Sequence, residues 1–89
     1  MELKKITLEL GNLKNWSLEN SSICKVFEFS NFKEALIFVN KVGEISEEAG
    51  HHPDIIISYN KVKLKIFTHS ENSLTEKDFE LAKKIDKLD

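Results

Sequence analysis

The stretch 50-GHHPDIIISYNKVKLKIFTHS-70 decides how this 89-residue chain is interpreted, and it contains all three of its histidines. An apolar run, 54-DIIISY-59, is followed by an alternating run, 62-VKLKIFTH-69, which is the pattern of two neighbouring strands. The residues between them, Asn60 and Lys61, form the predicted turn, because asparagine tolerates the positive φ of a two-residue hairpin turn. The stretch therefore predicts a β-hairpin.

The predicted hairpin brings the three histidines together. Counting outward from its turn places His69 opposite His52, so the last histidine is expected beside the adjacent pair. Glu47 precedes His51 by one helical turn, so its carboxylate is expected to reach that imidazole. The sequence thus predicts one cluster of three imidazoles and a carboxylate.

The N-terminal part predicts a short helix and a first hairpin. Gly11-Asn12 ends the helix, and its apolar residues recur with helical spacing at Ile6, Leu10 and Leu13. The runs 16-WSLE-19 and 23-ICKVFEFS-30 are rich in aromatic and β-branched residues, and a turn signal, 20-NSS-22, separates them.

The longest predicted helix follows Asn31, which is a good N-cap with Glu34 three residues later. Gly50 is placed to end this helix, and Pro53 cannot continue it. Its apolar residues cover about half of the circumference, more than the stripe of ~100° that one buried face needs. Either the helix lies deep in a groove across the sheet, or it has a second burial surface in a subunit contact.

A last helix is predicted from a Thr75 cap to about Leu88, with inward residues Leu81, Ile85 and Leu88. The element order is then αββαββα. This order predicts an α+β fold in which a four-stranded antiparallel sheet carries its helices on one face. No linker or repeat divides the chain, so we expect a single domain, 1–89.

The composition excludes several classes of protein. The net charge is −2, and the chain has no arginine, so a nucleic-acid partner is not expected. No apolar run approaches the ~20 residues of a membrane span, and the N-terminus lacks the pattern of a secretory signal. The single cysteine, Cys24, lies in a predicted strand, which favours a buried apolar role over a nucleophile. It also fits a reducing compartment, so we expect a cytoplasmic protein.

Three interpretations of the histidine cluster remain open from the residues alone. The histidines could be incidental residues on a polar sheet edge. They could bind zinc together with Glu47, although neither a helical H-x-x-x-H spacing nor a cysteine partner supports a metal site. They could carry general acid/base chemistry, since imidazoles with an ordinary pKa of about 6.5 donate or accept a proton near neutral pH.

The chain resembles the pterin-4a-carbinolamine dehydratase family. The resemblance extends over about residues 13–87, so it supports the N-terminal helix only weakly. It rests on a set of motifs and single residues: Trp16, Phe27-x-Phe29, Asn31-Phe32, Glu47-x-x-x-His51-His52-Pro53, Tyr59-Asn60-Lys61-Val62, Thr68-His69, Leu74-Thr75-x-x-Asp78 and 79-FELAKKID-86.

The resemblance implies a hydro-lyase that converts 4a-hydroxytetrahydropterin to quinonoid dihydropterin and water, in tetrahydrobiopterin recycling. It implies neither a metal nor another cofactor. By position, His51 and His69 would be the principal acid/base residues, with His52 binding the substrate or assisting. Glu47 would orient or tune an imidazole, or hydrogen-bond the pterin ring. The pterin would be framed by Trp16 and the segments around the histidines, which include Gly50, Phe67, Thr68 and Ser70.

Some implications of the resemblance stay open. Asp78 matches a motif acid, but an acid three residues after a Thr75 cap also stabilises a helix, so Asp78 and Pro53 are treated as supporting residues. Trp16 could equally be core. Family members are dimers or larger oligomers, so a homodimer or homotetramer is expected. The segment 70-SENS-73 lacks the family's usual glycine. The alternative function is a non-catalytic dimerisation or coactivator-type binding protein of the same fold.

Overall fold

The computed structural model describes residues 1–88; the predicted domain 1–89 also includes Asp89, which lies outside them. The element order is αββαββα, as predicted. Its elements are α1 (Leu3–Gly11), β1 (Ser17–Glu19), β2 (Ser22–Glu28), α2 (Phe32–Ala49), β3 (Asp54–Ser58), β4 (Lys61–Ile66), a 3-10 turn (His69–Glu71) and α3 (Glu76–Asp86).

The four strands form one antiparallel sheet in the order β1-β2-β4-β3. Alternate residues of the two central strands point to the helices and are buried, among them Ile23, Phe27, Val62, Leu64 and Ile66. The helices supply the facing half of the core with Ala35, Phe38, Val42, Phe79, Leu81, Ala82 and Ile85. The predicted α+β architecture, with helices on one face of the sheet, is confirmed.

The predicted turn of the second hairpin is wrong by one residue. Ser58 pairs with Lys61, so the turn is Tyr59-Asn60, and Tyr59 has the positive φ of 53°. Each residue of β3 therefore pairs two residues earlier in β4 than predicted, and Ile55 and Ile57 remain on the same face as Leu64 and Val62. Asn60 also fixes the turn to the end of β2, because its Nδ2 donates to the Phe29 carbonyl at 2.9 Å.

The predicted caps at both ends of α2 and at the start of α3 are confirmed. The Asn31 side chain accepts from the Glu34 backbone N–H at 2.9 Å. Gly50 follows α2 in the left-handed conformation, with φ 64°, where a side chain would be strained. Thr75 and Asp78 form a complete capping box at the start of α3. The last helix ends at Asp86, slightly before the predicted Leu88.

The apolar surface of α2 is wider than its contact with the sheet. Phe32, Leu36 and Ile37 are 46%, 36% and 42% exposed, although α2 is the longest helix of the chain. Burial in a deep groove therefore does not account for the whole apolar arc. Within residues 1–88, no helix is long and apolar enough to cross a membrane.

Candidate active site

The three histidines line one cavity of about 270 Å³, between the end of α2 and the start of α3. Seven of its lining residues were predicted from the sequence to hold the substrate. The full set is Gly50, His51, His52, Phe67, Thr68, His69, Ser70 and Lys77. Lys77 was missed, because a lysine in the first turn of a helix is ordinary on a protein surface.

His51 is the most enclosed of the paired histidines. Its side chain is 14% exposed, whereas that of His52 is 59% exposed. The left-handed residue Gly50 turns the chain out of α2 just before the pair, so His51 is directed toward α3. There its Nε2 lies 2.6 Å from Oδ1 of Asp78.

Asp78 is a fully buried carboxylate with three partners. Its Oδ1 bonds to His51, while its Oδ2 accepts from the Thr68 hydroxyl and the Thr75 backbone N–H, both at 2.8 Å. The Thr68 and Thr75 hydroxyls are also 2.8 Å apart. Asp78 therefore has both a structural role and a role in the site, because it caps α3 and also holds His51.

Glu47 was expected to reach His51, and this prediction is wrong. Its Oε2 lies 2.5 Å from Nε2 of His52 instead. The i to i+4 rule applies only while the chain remains helical. Gly50 breaks the helix in the left-handed conformation, so His51 leaves the helical path and His52 takes the place near Glu47.

His69 reaches the cavity by a different route from the one predicted. Strand β4 ends at Ile66, so no strand pairing places His69 opposite His52. Thr68 and Ser73 instead close a loop through an isolated bridge, and His69 begins the 3-10 turn inside that loop. Asn72 supplies a left-handed residue there with φ 51°, which makes the missing glycine unnecessary. The Phe67 ring supports the imidazole edge-on, with centroids 5.1 Å apart.

Trp16 does not line this cavity. It is only 6% exposed, and its Nε1 donates to the carboxylate of Asp86 at 3.0 Å, at the other end of α3 from Asp78. Lys25 pairs with the same carboxylate at 2.9 Å. The structure therefore favours packing over substrate contact for Trp16. Pro53 lies half-buried between Gly50 and β3, and its supporting role stays a prediction.

A larger open groove, of about 830 Å³, borders the cavity between α2 and β3. It is lined by Val39, Asn40, Gly43, Glu44, Glu47, Glu48, His52 and Ile55. His52 belongs to both concavities, and its partner Glu47 belongs to this groove. The smaller cavity is the better candidate for chemistry, because all three imidazoles line it.

The arrangement suits proton transfer. His51 and His52 each have a carboxylate on one ring nitrogen, which leaves the other nitrogen to exchange a proton. His69 offers a third imidazole on the facing segment. Within the described part of the chain, no three histidine, cysteine, aspartate or glutamate side chains converge in an arrangement that could hold a metal ion.

Comparison with known sequences identifies the family. Residues 1–88 match the family model described as pterin 4 alpha carbinolamine dehydratase. A protein of Sulfolobus acidocaldarius, provisionally named a pterin-4-alpha-carbinolamine dehydratase, is 48% identical over 88 residues, which cover 99% of this chain and 97% of that protein. A protein of the same name from Acidobacterium capsulatum is 51% identical over 85 residues, covering 96% and 92%.

Comparison with solved structures agrees. The crystal structure of a transcriptional coactivator/pterin dehydratase from Brucella melitensis superposes with a TM-score of 0.93 at 29% identity, covering 98% of this chain and 95% of that one. A pterin dehydratase-like protein identified as a RuBisCO assembly factor in the alpha-carboxysome has a TM-score of 0.67 at 22% identity, covering 82% and 84%, and shares the fold. The chain belongs to the pterin 4 alpha carbinolamine dehydratase family, which is a family of hydro-lyases.

Proposed function

We propose that this chain dehydrates 4a-hydroxytetrahydropterin to quinonoid dihydropterin by histidine general acid/base catalysis. The observation that carries the proposal is the cavity in which His51, held by the buried Asp78, lies across from His69 on another segment. The family membership and the relatives' names support the same reaction.

The reaction asks for two proton transfers. The C4a hydroxyl takes up a proton as its C–O bond breaks, and the proton on N5 is removed, so that water leaves and a C=N bond forms. In our proposal His51 and His69 carry these two transfers, while His52 with Glu47 holds the substrate. Neither transfer requires a metal or a redox cofactor, so we propose that the chain acts without one. The product would then be reduced to tetrahydropterin, in a cytoplasmic recycling pathway.

The decisive experiment is a dehydration assay on the purified chain. We expect wild-type protein to accelerate loss of the 4a-carbinolamine, and the double variant His51→Ala/His69→Ala to lose at least about 10²-fold of that rate, the usual contribution of a general acid or base. Lys84→Ala, at an exposed position of α3 outside the cavity lining, is the matched control and should keep the wild-type rate. Unchanged turnover in the double variant would refute the proposed mechanism.

We also propose that the exposed face of α2 is an interface between copies of this chain. Phe32, Leu36 and Ile37 leave an apolar surface beside the groove. The N-terminal half of this face carries Lys33 and its C-terminal half carries Glu44 and Glu47, so two antiparallel α2 helices would bring opposite charges together.

Light scattering tests the interface. The wild type should be a homodimer or homotetramer, and Leu36→Asp should shift its mass toward the monomer. Leu3→Asp, at a 68% exposed position on α1, is the control and should leave the mass unchanged. A wild-type monomer at all concentrations would exclude the interface.

A non-catalytic binding protein of the same fold is the second candidate, and the exposed apolar face of α2 favours it. It predicts no dehydration by the wild type. It also predicts that a bound partner protein would be retained when His51 and His69 are both replaced.

A further inference from the structure

Every ionisable side chain that lines the active cavity is basic. These residues are His51, His52, His69 and Lys77. The two carboxylates of the site lie behind the imidazoles, Asp78 on His51 and Glu47 on His52. The cavity therefore presents a ligand with donors and positive charge, and no carboxylate lines it.

Lys77 is the one lysine in this lining, and its ammonium is not in an ion pair within residues 1–88. Four other lysines are paired, namely Lys5, Lys25, Lys63 and Lys83. The neighbouring carboxylate of Glu76 is taken by Lys5 at 2.8 Å. Lys77 also borders a second recess, outside the active cavity, together with Glu71. Lys77 and Glu71 form no ion pair there.

Lys77 lines the cavity from the start of α3. It is an exposed residue in the first turn of α3, directly before the buried Asp78. The Ser70 hydroxyl, from the 3-10 turn, lines the same cavity and adds a second donor. In the proposed function the histidines contact the pterin ring system, where the reaction takes place. Lys77 and Ser70 are therefore available to contact another part of the substrate.

We propose that Lys77, assisted by Ser70, recognises an anionic group on the C6 substituent of the pterin, which makes the preferred substrate a tetrahydropterin with a phosphate- or carboxylate-bearing side chain. This inference rests on the proposed function. The pterin ring itself is uncharged near neutral pH, so a free ammonium adds little to its recognition. A lysine is a common partner of phosphate, to which it acts as a point charge.

Dehydration assays with matched substrates test this specificity. The substrates are 4a-carbinolamines with a neutral hydroxyalkyl, a phosphorylated hydroxyalkyl or a carboxylated C6 substituent. We expect the wild type to prefer the anionic substrates by about two- to fivefold in kcat/KM, through KM, as for an exposed ion pair. The preference should fall at high salt. Comparison of the phosphate with the carboxylate identifies the anion.

Variants assign the preference to Lys77. Lys77→Gln should abolish the preference by raising KM for the anionic substrates, Lys77→Arg should keep the preference, and Lys84→Gln, at an exposed position of α3 outside the cavity lining, should have no effect. Equal kcat/KM for all three substrates in the wild type would overturn the inference, and so would an equal loss for all three in Lys77→Gln.

A binding measurement separates this inference from the reaction. Stable 7,8-dihydropterins with the same three substituents are titrated against the wild type and Lys77→Gln by calorimetry. The inference is supported if the anionic ligands bind more tightly than the neutral ligand to the wild type but not to Lys77→Gln. This result would support it even if the wild type dehydrated no carbinolamine, and only the proposed reaction would then fail. Equal binding of the three ligands refutes it.

Discussion

Asp78 and His51 are 27 residues apart in the chain, yet Oδ1 of Asp78 lies 2.6 Å from Nε2 of His51. The carboxylate is fully buried and is fixed from its other side by the Thr75 cap. An imidazole held in this way has a defined orientation and a defined tautomer. The start of α3 is therefore part of the site and not only a helix terminus.

Replacement of Asp78 by Asn tests this relationship. The amide retains an oxygen for Thr75, but its NH₂ meets the ring nitrogen of His51 and imposes the opposite tautomer. We expect kcat to fall by roughly 10- to 100-fold, the usual effect of losing such a supporting partner. The stability should fall by about 1–3 kcal/mol, because a buried hydrogen-bond network is disturbed. Dehydration kinetics and urea unfolding measure the two effects.

Thr75→Ala is the control for Asp78→Asn. It removes a cap and should lower the stability by about 0.5–2 kcal/mol, but it leaves the carboxylate on His51. If Thr75→Ala reduced kcat as much as Asp78→Asn, the effect of Asp78 would be attributable to helix capping alone.

The two adjacent histidines should differ in their kinetic roles. His51 is enclosed and backed by a buried carboxylate, whereas His52 and Glu47 are mostly exposed, at 59% and 78%. His51→Ala is expected to lower kcat by about 10² or more. His52→Ala should mainly raise KM, and Glu47→Gln should behave in the same way. Steady-state kinetics decide this, and an equal loss of kcat in both histidine variants would contradict it.

The second hairpin carries a conformational cost at Tyr59. Its φ of 53° is in the left-handed region, which costs most residues about 1–2 kcal/mol and asparagine less. Tyr59→Asn should therefore raise the free energy of unfolding by up to about 1 kcal/mol, measured by urea denaturation. Lys61→Asn, at the first position of β4, should give no such gain. A loss of stability in Tyr59→Asn would show that the Tyr59 ring makes a compensating contact.

Cys24 should be unreactive in the folded protein. It is 1% exposed, and burial raises the pKa of its thiol, with a smaller contribution from the negative charge of Glu19. A raised pKa means less thiolate at pH 8, so alkylation should be slow in the native state and at least about tenfold faster in denaturant. Glu19→Gln should lower the pKa and speed native alkylation slightly. Equal rates in the native and denatured states would contradict the assigned burial.

The elements of the fold were predictable because their signals are local. Asn31, Gly50 and Thr75 occupy their caps as expected, and the apolar patterns of both hairpins give the correct faces. The register of the second hairpin was not predictable from its turn, since both turn positions leave every side chain of β3 on the same face, and the bond from Asn60 to the Phe29 carbonyl joins residues far apart in the chain.

The candidate site was predictable in its membership and less so in its contacts. The cavity brings His51, His52 and His69 together as expected. The carboxylate partners were not predictable: His51 contacts Asp78, and Glu47 contacts His52. Both contacts follow from the left-handed conformation of Gly50, which no periodic pattern in the sequence reveals. Lys77 could have been found only by placing the first turn of α3 against the cavity.

His52 lines the active cavity and also the groove beside α2, with its Glu47 partner in that groove. Two binding events that act on one ion pair are thermodynamically linked, and the linkage is reciprocal. If a second copy occupies the groove, the factor by which substrate shifts self-association must equal the factor by which self-association shifts substrate affinity. Substrate affinity would then depend on the concentration of the protein itself.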